Sequence, residues 1–299
     1  MNGYFLNILR VIAVILITTI VTARPVIAGS FGTSQELDLE LGYVGRANIN
    51  QDGQQHVDPV YGYNSGIKYV ISPQITGDLL LRLGAEWERF SFDAPQTGAV
   101  TDTLQHINAI IGFDYQLAEQ WLMRAEIQPG IYSDFRKTRW ASVGAPIILG
   151  TAYLRNADLQ WFFGLRIDPR SKYPVLPAAG VRWQYNEALT LDFQLPNPRV
   201  EYNFNDKIQI YFGAGIKAGT YVVDDRFGYN HGIPLLNGAT IDYTEVRLGP
   251  GFSWKVFPEM TLEAEAGDML MRSWEFLDKG VNVNSRPAPY LQLNCHLRF

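Results

Sequence analysis

The stretch Leu291-Gln-Leu-Asn-Cys-His-Leu-Arg-Phe299 alternates apolar and polar residues along its whole length. Leu291, Leu293, Cys295, Leu297 and Phe299 share one face of an extended chain, and Gln292, Asn294, His296 and Arg298 share the other. A two-residue period means a β-strand, because successive side chains point to opposite faces. Working outward from this stretch, the same period recurs through most of the chain.

The strands expected in the first half are Gln35–Arg46, Val60–Ile71, Gln74–Phe92, Thr103–Leu117, Trp121–Ser133, Ile147–Arg155 and Leu159–Asp168. The second half adds Ala179–Tyr185, Leu189–Leu195, Arg199–Phe204, Lys207–Val223, Ile241–Val256, Met260–Ser273 and Pro289–Phe299. That makes about fourteen, or twelve if Pro196-Asn197-Pro198 prevents its flanking hairpin from forming. Connections alternate in length. Six are short: Ser72-Pro73, Ala118–Gln120, Asn156–Asp158, Asn186–Ala188, Asn205-Asp206 and Phe257–Glu259. Longer polar connections are expected near 47–59, 93–102, 134–146, 169–178, 224–240 and 274–288.

The faces sort chemically. Leu79, Leu81, Leu83, Ala85 and Trp87 oppose Arg82, Glu86 and Glu88; Trp121, Met123, Ala125 and Ile127 oppose Arg124, Glu126 and Gln128. A soluble β-sandwich also alternates, with its apolar face inward. Two features favour the inverse arrangement. Tyr115, Trp121, Trp161, Tyr185, Trp254 and Phe257 stand beside short turns, where they can form an aromatic girdle at a membrane interface. The polar faces carry charges of both signs, as an enclosed wet interior requires. The expected fold is therefore all-β, a closed antiparallel transmembrane barrel with both termini on the short-turn rim.

Composition sets the bounds. Residues 1–28 read as a cleaved signal peptide: Arg10, an apolar stretch from Val11 to Ala23, then Val26-Ile27-Ala28 before the expected cut after Ala28. Residues 29–299 are then one barrel domain. Removing Arg10 and Arg24 from the 25 basic residues leaves 23 against 30 acidic ones, a formal charge of −7. That balance argues against nucleic acid as a partner. Cys295 is the single cysteine, so no intramolecular disulfide exists. No later stretch reads as a membrane helix, yet only 18% of residues are charged and 13% are aromatic.

The alternating strands, the leader and the terminal Phe299 resemble the bacterial outer-membrane β-barrel class over the whole mature chain. Within it, Tyr173–Trp183 through Leu189–Pro198 resembles a group of outer-membrane proteins of unknown function. The resemblance implies location in the outer membrane, contact with its lipid, and Phe299 as the signal read by the barrel-insertion machinery. It carries no catalytic residue and no cofactor.

A search for chemistry finds little. Gly213-Ala-Gly215-Ile-Lys-Ala218 fits a loose dinucleotide fingerprint, but it lies within a strand and no helix follows to cradle a pyrophosphate. His56, His106, His231 and His296 lack zinc-ligand spacing. Asp224-Asp225 reads as a solvated acidic loop rather than a calcium site. The inward faces instead assemble cations, namely Arg82, Arg124, Arg166, Arg182, Lys217, Arg247, Lys255 and Arg298. Against them stand Glu40, Glu86, Glu88, Asp114, Glu126, Asp192, Glu201, Glu245, Glu263 and Glu265, with His296 beside them. Such a lining suits either a wet lumen or a lattice of ion pairs that closes it. The expected function is passive diffusion of small polar solutes and not catalysis. The alternatives are a structural or adhesive role through the loops near 224–240 and 274–288, and an outer-membrane hydrolase using His106 or His296.

Overall fold

The structure, a computed structural model, describes residues 32–51, 54–93, 98–277 and 279–299, the side chains of 54–58 excepted. The leader and its cut after Ala28 lie outside the described residues. Fourteen strands form one closed sheet. They are β1 (Thr33–Gln51), β2 (Gln54–Thr76), β3 (Leu79–Phe92), β4 (Thr103–Ala118), β5 (Trp121–Ile127 and Gly130–Ser133), β6 (Val143–Gly144 and Ile147–Leu154) and β7 (Leu159–Ile167). The others are β8 (Val175–Gln184), β9 (Leu189–Asp192), β10 (Arg199–Asn203), β11 (Ile208–Val222), β12 (Thr240–Phe257), β13 (Met260–Phe276) and β14 (Val281–Ser285 and Ala288–Arg298). Each pairs antiparallel with the next. The quoted terminal strand then shuts the ring against β1, from Glu36 opposite Arg298 to Val44 opposite Tyr290. Closure leaves no sheet edge there for lipid to meet.

The hairpin flanking Pro196-Asn197-Pro198 forms, giving fourteen strands rather than twelve. Ser72-Pro73 is not a turn. β2 runs through it, and the chain reverses at Gly77-Asp78. Pro73 is tolerated beside the register slip between Gln74 and Thr76, where the ladder is already interrupted. The expected loops 47–59 and 274–288 are mostly strand, because their inward residues Ile49, Trp274, Phe276 and Val283 pack a core.

One rim carries the short turns, the start of β1 and the end of β14. Exposed outward aromatics crowd above it, Trp121, Trp161, Trp183, Tyr185, Phe204, Trp254 and Phe257 among them. Phe299 is also exposed there, its backbone bonded to Gln35. Cys295 points outward but is shielded, packed with Met260 and Leu297 against Leu39 and Leu262.

The far end of the barrel is built differently. Crossing hydrocarbon takes about 9–11 tilted residues. β1 has 19 residues and β2 has 23, so both continue well past the bilayer. At that level the tip of β5 meets β11, with Ser133 beside Val222 in a parallel bridge. The ring therefore narrows to β11–β14 and β1–β5. Its interior is filled by Phe90, Phe92, Leu104, Tyr221, Tyr243, Trp274 and Phe276. The connection 223–239, with the short helix α1 (Phe227–Asn230), folds down onto this core through Phe227 and Leu236. The upper barrel is thus packed shut.

Candidate functional site

Below that plug lies a chamber of about 630 Å³, lined by β1–β3 and β9–β14. Period two decides what lines it: on every strand the residues opposite the lipid-facing set point in. Glu86, Glu88, Asp192, Lys217, Arg247, Glu263, Glu265 and His296 all line this space, together with Asp38, Glu40, Lys68 and Arg199.

The charges are paired along the wall. Lys217 Nζ binds Glu88 at 2.8 Å and also Glu40. Glu40 accepts from Asn64, whose Oδ1 accepts Arg247 Nη2 at 3.1 Å. Arg247 binds Glu245, which accepts Arg272 Nε at 3.0 Å and the Tyr243 hydroxyl at 2.6 Å. This chain of contacts forms the chamber's roof, directly beneath the aromatic core.

Nearer the short-turn rim, Arg82 sits between Glu36 at 3.4 Å, Glu126 at 3.5 Å and Asp114 at 3.7 Å. Arg124 grips Asp114 with two bonds, at 2.7 and 2.8 Å. Arg182 binds Asp192, and Glu201 at 3.1 Å. Arg199 joins Glu201 at 2.6 Å to Glu263 at 3.5 Å. His296 lies between Asp38 at 2.8 Å and Glu263 at 3.7 Å, and Arg298 also reaches Asp38, at 2.7 Å. Arg166 pairs with Asp168 at 3.4 Å. Lys255 is exposed near the turn between β12 and β13, away from the chamber.

Several members escaped sequence reasoning. Glu36 and Asp38 share parity with Glu40, and Arg199 shares it with Glu201, so the signal was present. Arg272 had no such signal. An extra residue at Leu270 interrupts the pairing of β13 with β12 and switches the inward parity from odd to even. A larger omission lies on one wall, where the inward positions of β6–β8 include Ile148, Gly150, Ala152, Phe162, Gly164, Leu176 and Ala178 beside Gln160, Arg166 and Arg182. Alternation marked the inward face of β7 and β8 through those polar residues; on β6 both faces are apolar, so it could not.

The weaker motifs find plain roles. A Cβ on Gly213 would stand 2.7 Å from that of Arg199, so the glycine lets β10 approach β11. Asp225 is held by Arg139, and by Lys137 at 3.5 Å. His106 stacks on Tyr132, with Nδ1 3.4 Å from the Tyr221 hydroxyl. Among the described residues no group of three or more His, Cys, Asp or Glu is arranged to hold a metal. His56 lies among the residues whose side chains are not described.

A closed antiparallel barrel, belted outside by apolar and aromatic side chains and charged within, is an outer-membrane β-barrel. A family model described as "Domain of unknown function (DUF6268)" matches residues 76–298, and the chain belongs to that family. No curated protein matches it. Among solved structures it is similar to the COG4313 outer membrane channel from Pseudomonas putida F1, at 12% identity, 93% of this chain and 100% of that one covered, TM-score 0.46. It is also similar to the NanC porin, at 9% identity, with 87% and 98% covered and TM-score 0.41. A deltaS2 mutant of the TodX monoaromatic hydrocarbon channel is similar at 12% identity, with 91% of each chain covered and TM-score 0.39.

Proposed function

We propose that the protein is a passive outer-membrane channel for small solutes bearing charged or hydrogen-bonding groups. The observation that carries the reading is the chamber itself. Eight strands just fill with side chains and more leave room, and here fourteen strands leave about 630 Å³ open below the packed end. Its lining has both signs of charge, each largely neutralised by a neighbour, so the chamber admits polar solutes without selecting strongly by charge. Outer-membrane lipid covers the belt, and the insertion machinery reads the end of β14 at Phe299.

The adhesive alternative gains nothing from the loops. The connection 223–239 turns Phe227 and Leu236 inward, and most of 274–288 is strand. Purified protein in a planar bilayer tests the proposal, with uptake of radiolabelled glycine into proteoliposomes as a second readout. Current steps with glycine uptake above protein-free vesicles are expected. The absence of both current steps and uptake would refute a channel.

A further inference from the structure

The wall of the barrel is incomplete on one side. β9 has four residues and β10 has five, about half of what is needed to cross hydrocarbon, and β8 and β11 rise past them. At the level of the hairpin, β8 and β11 stand three strand spacings apart, about 14 Å. Above the hairpin tip, no strand pairing among the described residues joins Val175–Ala179 to Lys217–Gly219.

The edges of this gap are built for being open. Just below the gap Val181 accepts a bond from Phe193 of the hairpin, so by alternation the backbone of Pro177 faces the gap. Proline there removes one N–H from the free edge. On the other side Ile216 N–H donates to Pro196, whereas Ala218, next in that alternation, is in register with Thr244 on β12 and turns its N–H toward the gap, where no strand meets it. Unpaired backbone groups are not left against lipid tails. The gap must therefore hold water or a passing molecule.

Its surroundings are polar on one side and apolar on the others. The connection 168–174 closes the top, with Ser171 Oγ and Lys172 N–H donating to Asp242 at 3.0 and 2.6 Å and Lys172 Nζ binding Glu275 at 2.6 Å. Below that strap Val175, Phe193 and Leu195 are exposed on the outside. Leu176 points inward and is also half-exposed, onto the apolar wall of β6–β8. The chamber reaches the hairpin tip at Leu195–Asn197, beside Lys217.

We propose that this gap is a lateral port. Small amphipathic molecules, with an apolar body and one charged or hydrogen-bonding head, pass through it between the chamber and the outer leaflet. The inference rests on the channel reading and narrows its solute class. Because the upper barrel is packed, a solute in the chamber meets this side opening rather than an axial exit.

The test bridges the gap after folding. In a Cys295→Ala background, Ala179→Cys and Ala218→Cys are joined by a disulfide-containing bis-maleimide. Proteoliposomes are then assayed for uptake of radiolabelled decyltrimethylammonium, whose fixed charge keeps it from crossing lipid unaided, and of glycine. Bridging should lower decyltrimethylammonium uptake at least tenfold, and reducing the linker should restore it. Unchanged uptake in the bridged barrel overturns the port. So does glycine uptake by the unbridged barrel without decyltrimethylammonium uptake, and in that case the channel reading survives. If the unbridged protein admits neither probe, the channel falls and the port with it.

Discussion

Glu245 offers the most direct test of how the chamber roof is held. Its side chain is 1% exposed and accepts from Arg247, Arg272 and Tyr243 at once. The side chains of Arg247 and Arg272 are themselves only 4% and 2% exposed, so neither guanidinium is screened by water. Glu245→Gln keeps the shape and one acceptor oxygen but removes the negative charge, leaving two buried cations uncompensated. Breaking a buried pair in this way costs about 3–5 kcal/mol. The Arg124–Asp114 pair is the contrast, because Arg124 is 46% exposed. Arg124→Gln should cost no more than about 1 kcal/mol despite the two-bond geometry, since Arg82 still stands beside Asp114. Reversible urea unfolding in detergent micelles, followed by tryptophan fluorescence and by heat-modifiable gel mobility, measures both on one scale. Equal losses in the two variants, or a Glu245→Gln loss under about 1 kcal/mol, would refute the argument that the roof depends on charge compensation. A variant with Glu245→Leu, Arg247→Met, Arg272→Met and Tyr243→Phe should recover most of the loss, since it removes the buried charges together with the hydroxyl that Glu245 accepts from.

Other outcomes follow from particular contacts. Gly267→Ala should destabilise by about 1–3 kcal/mol in the same urea assay, because a Cβ there would stand 2.2 Å from the Leu248 carbonyl and 2.6 Å from Gly249. Gly150→Ala should stay within about 0.5 kcal/mol, its nearest neighbour lying 3.9 Å away. Lys217→Gln frees Glu40 and Glu88 inside the chamber, so the reversal potential in a KCl gradient should move toward cation preference. In the connection 134–142, burial pushes the Asp134 carboxyl above its ordinary value of 3.8, against the backbone N–H bonds it accepts from Asp224 and Arg136. A raised folded-state pKa means its contribution is full below 3.8 and is lost as pH rises through the higher folded value. Stability of the native protein relative to Asp134→Asn should therefore fall as the pH rises above the ordinary carboxylate value of 3.8, measured by urea midpoints at each pH.

What could be read from the chain alone followed the strength of the two-residue period. Where one face met lipid and the other carried charge, as at Leu79–Glu88 and Leu291–Phe299, strand, face and partner side all came from the pattern. The extended parts of β1, β2, β13 and β14 were hidden because Asn48, Asn50, Asn282 and Asn284 read as loop residues. Their strands lie beyond the bilayer, so one face meets water while only the other packs the core. On β6 the opposite problem arose: Ile147–Leu154 is apolar on both faces, so periodicity had nothing to distinguish. Charged positions were legible, but their pairing was not. Lys217 meets Glu40 and Glu88 across the lumen from strands far apart in sequence, and local spacing cannot encode such a contact.

The division of the barrel into a packed end and a wet chamber has one structural origin, the unequal length of its strands. β11–β14 and β1–β5 form a ring tall enough to bury Trp274, Tyr243 and Phe92 above the membrane. β6–β10 stop lower, so the tip of β5 bonds directly to β11 and the short strands form an annex to the chamber. That annex carries the apolar inward residues of β6–β8 and the hairpin tip, beside the ion pairs of Arg166, Arg182 and Arg199. Its apolar stretch lies on the side where the wall is shortest. Lengthening β9 and β10 by four residues each, with alternating apolar and polar residues, should pair Ala218 with a new neighbour and raise the urea midpoint. If the port proposal holds, the same change should lower decyltrimethylammonium uptake, so that stability and transport move in opposite directions. A longer hairpin that raised both would show that the missing wall has no part in passage.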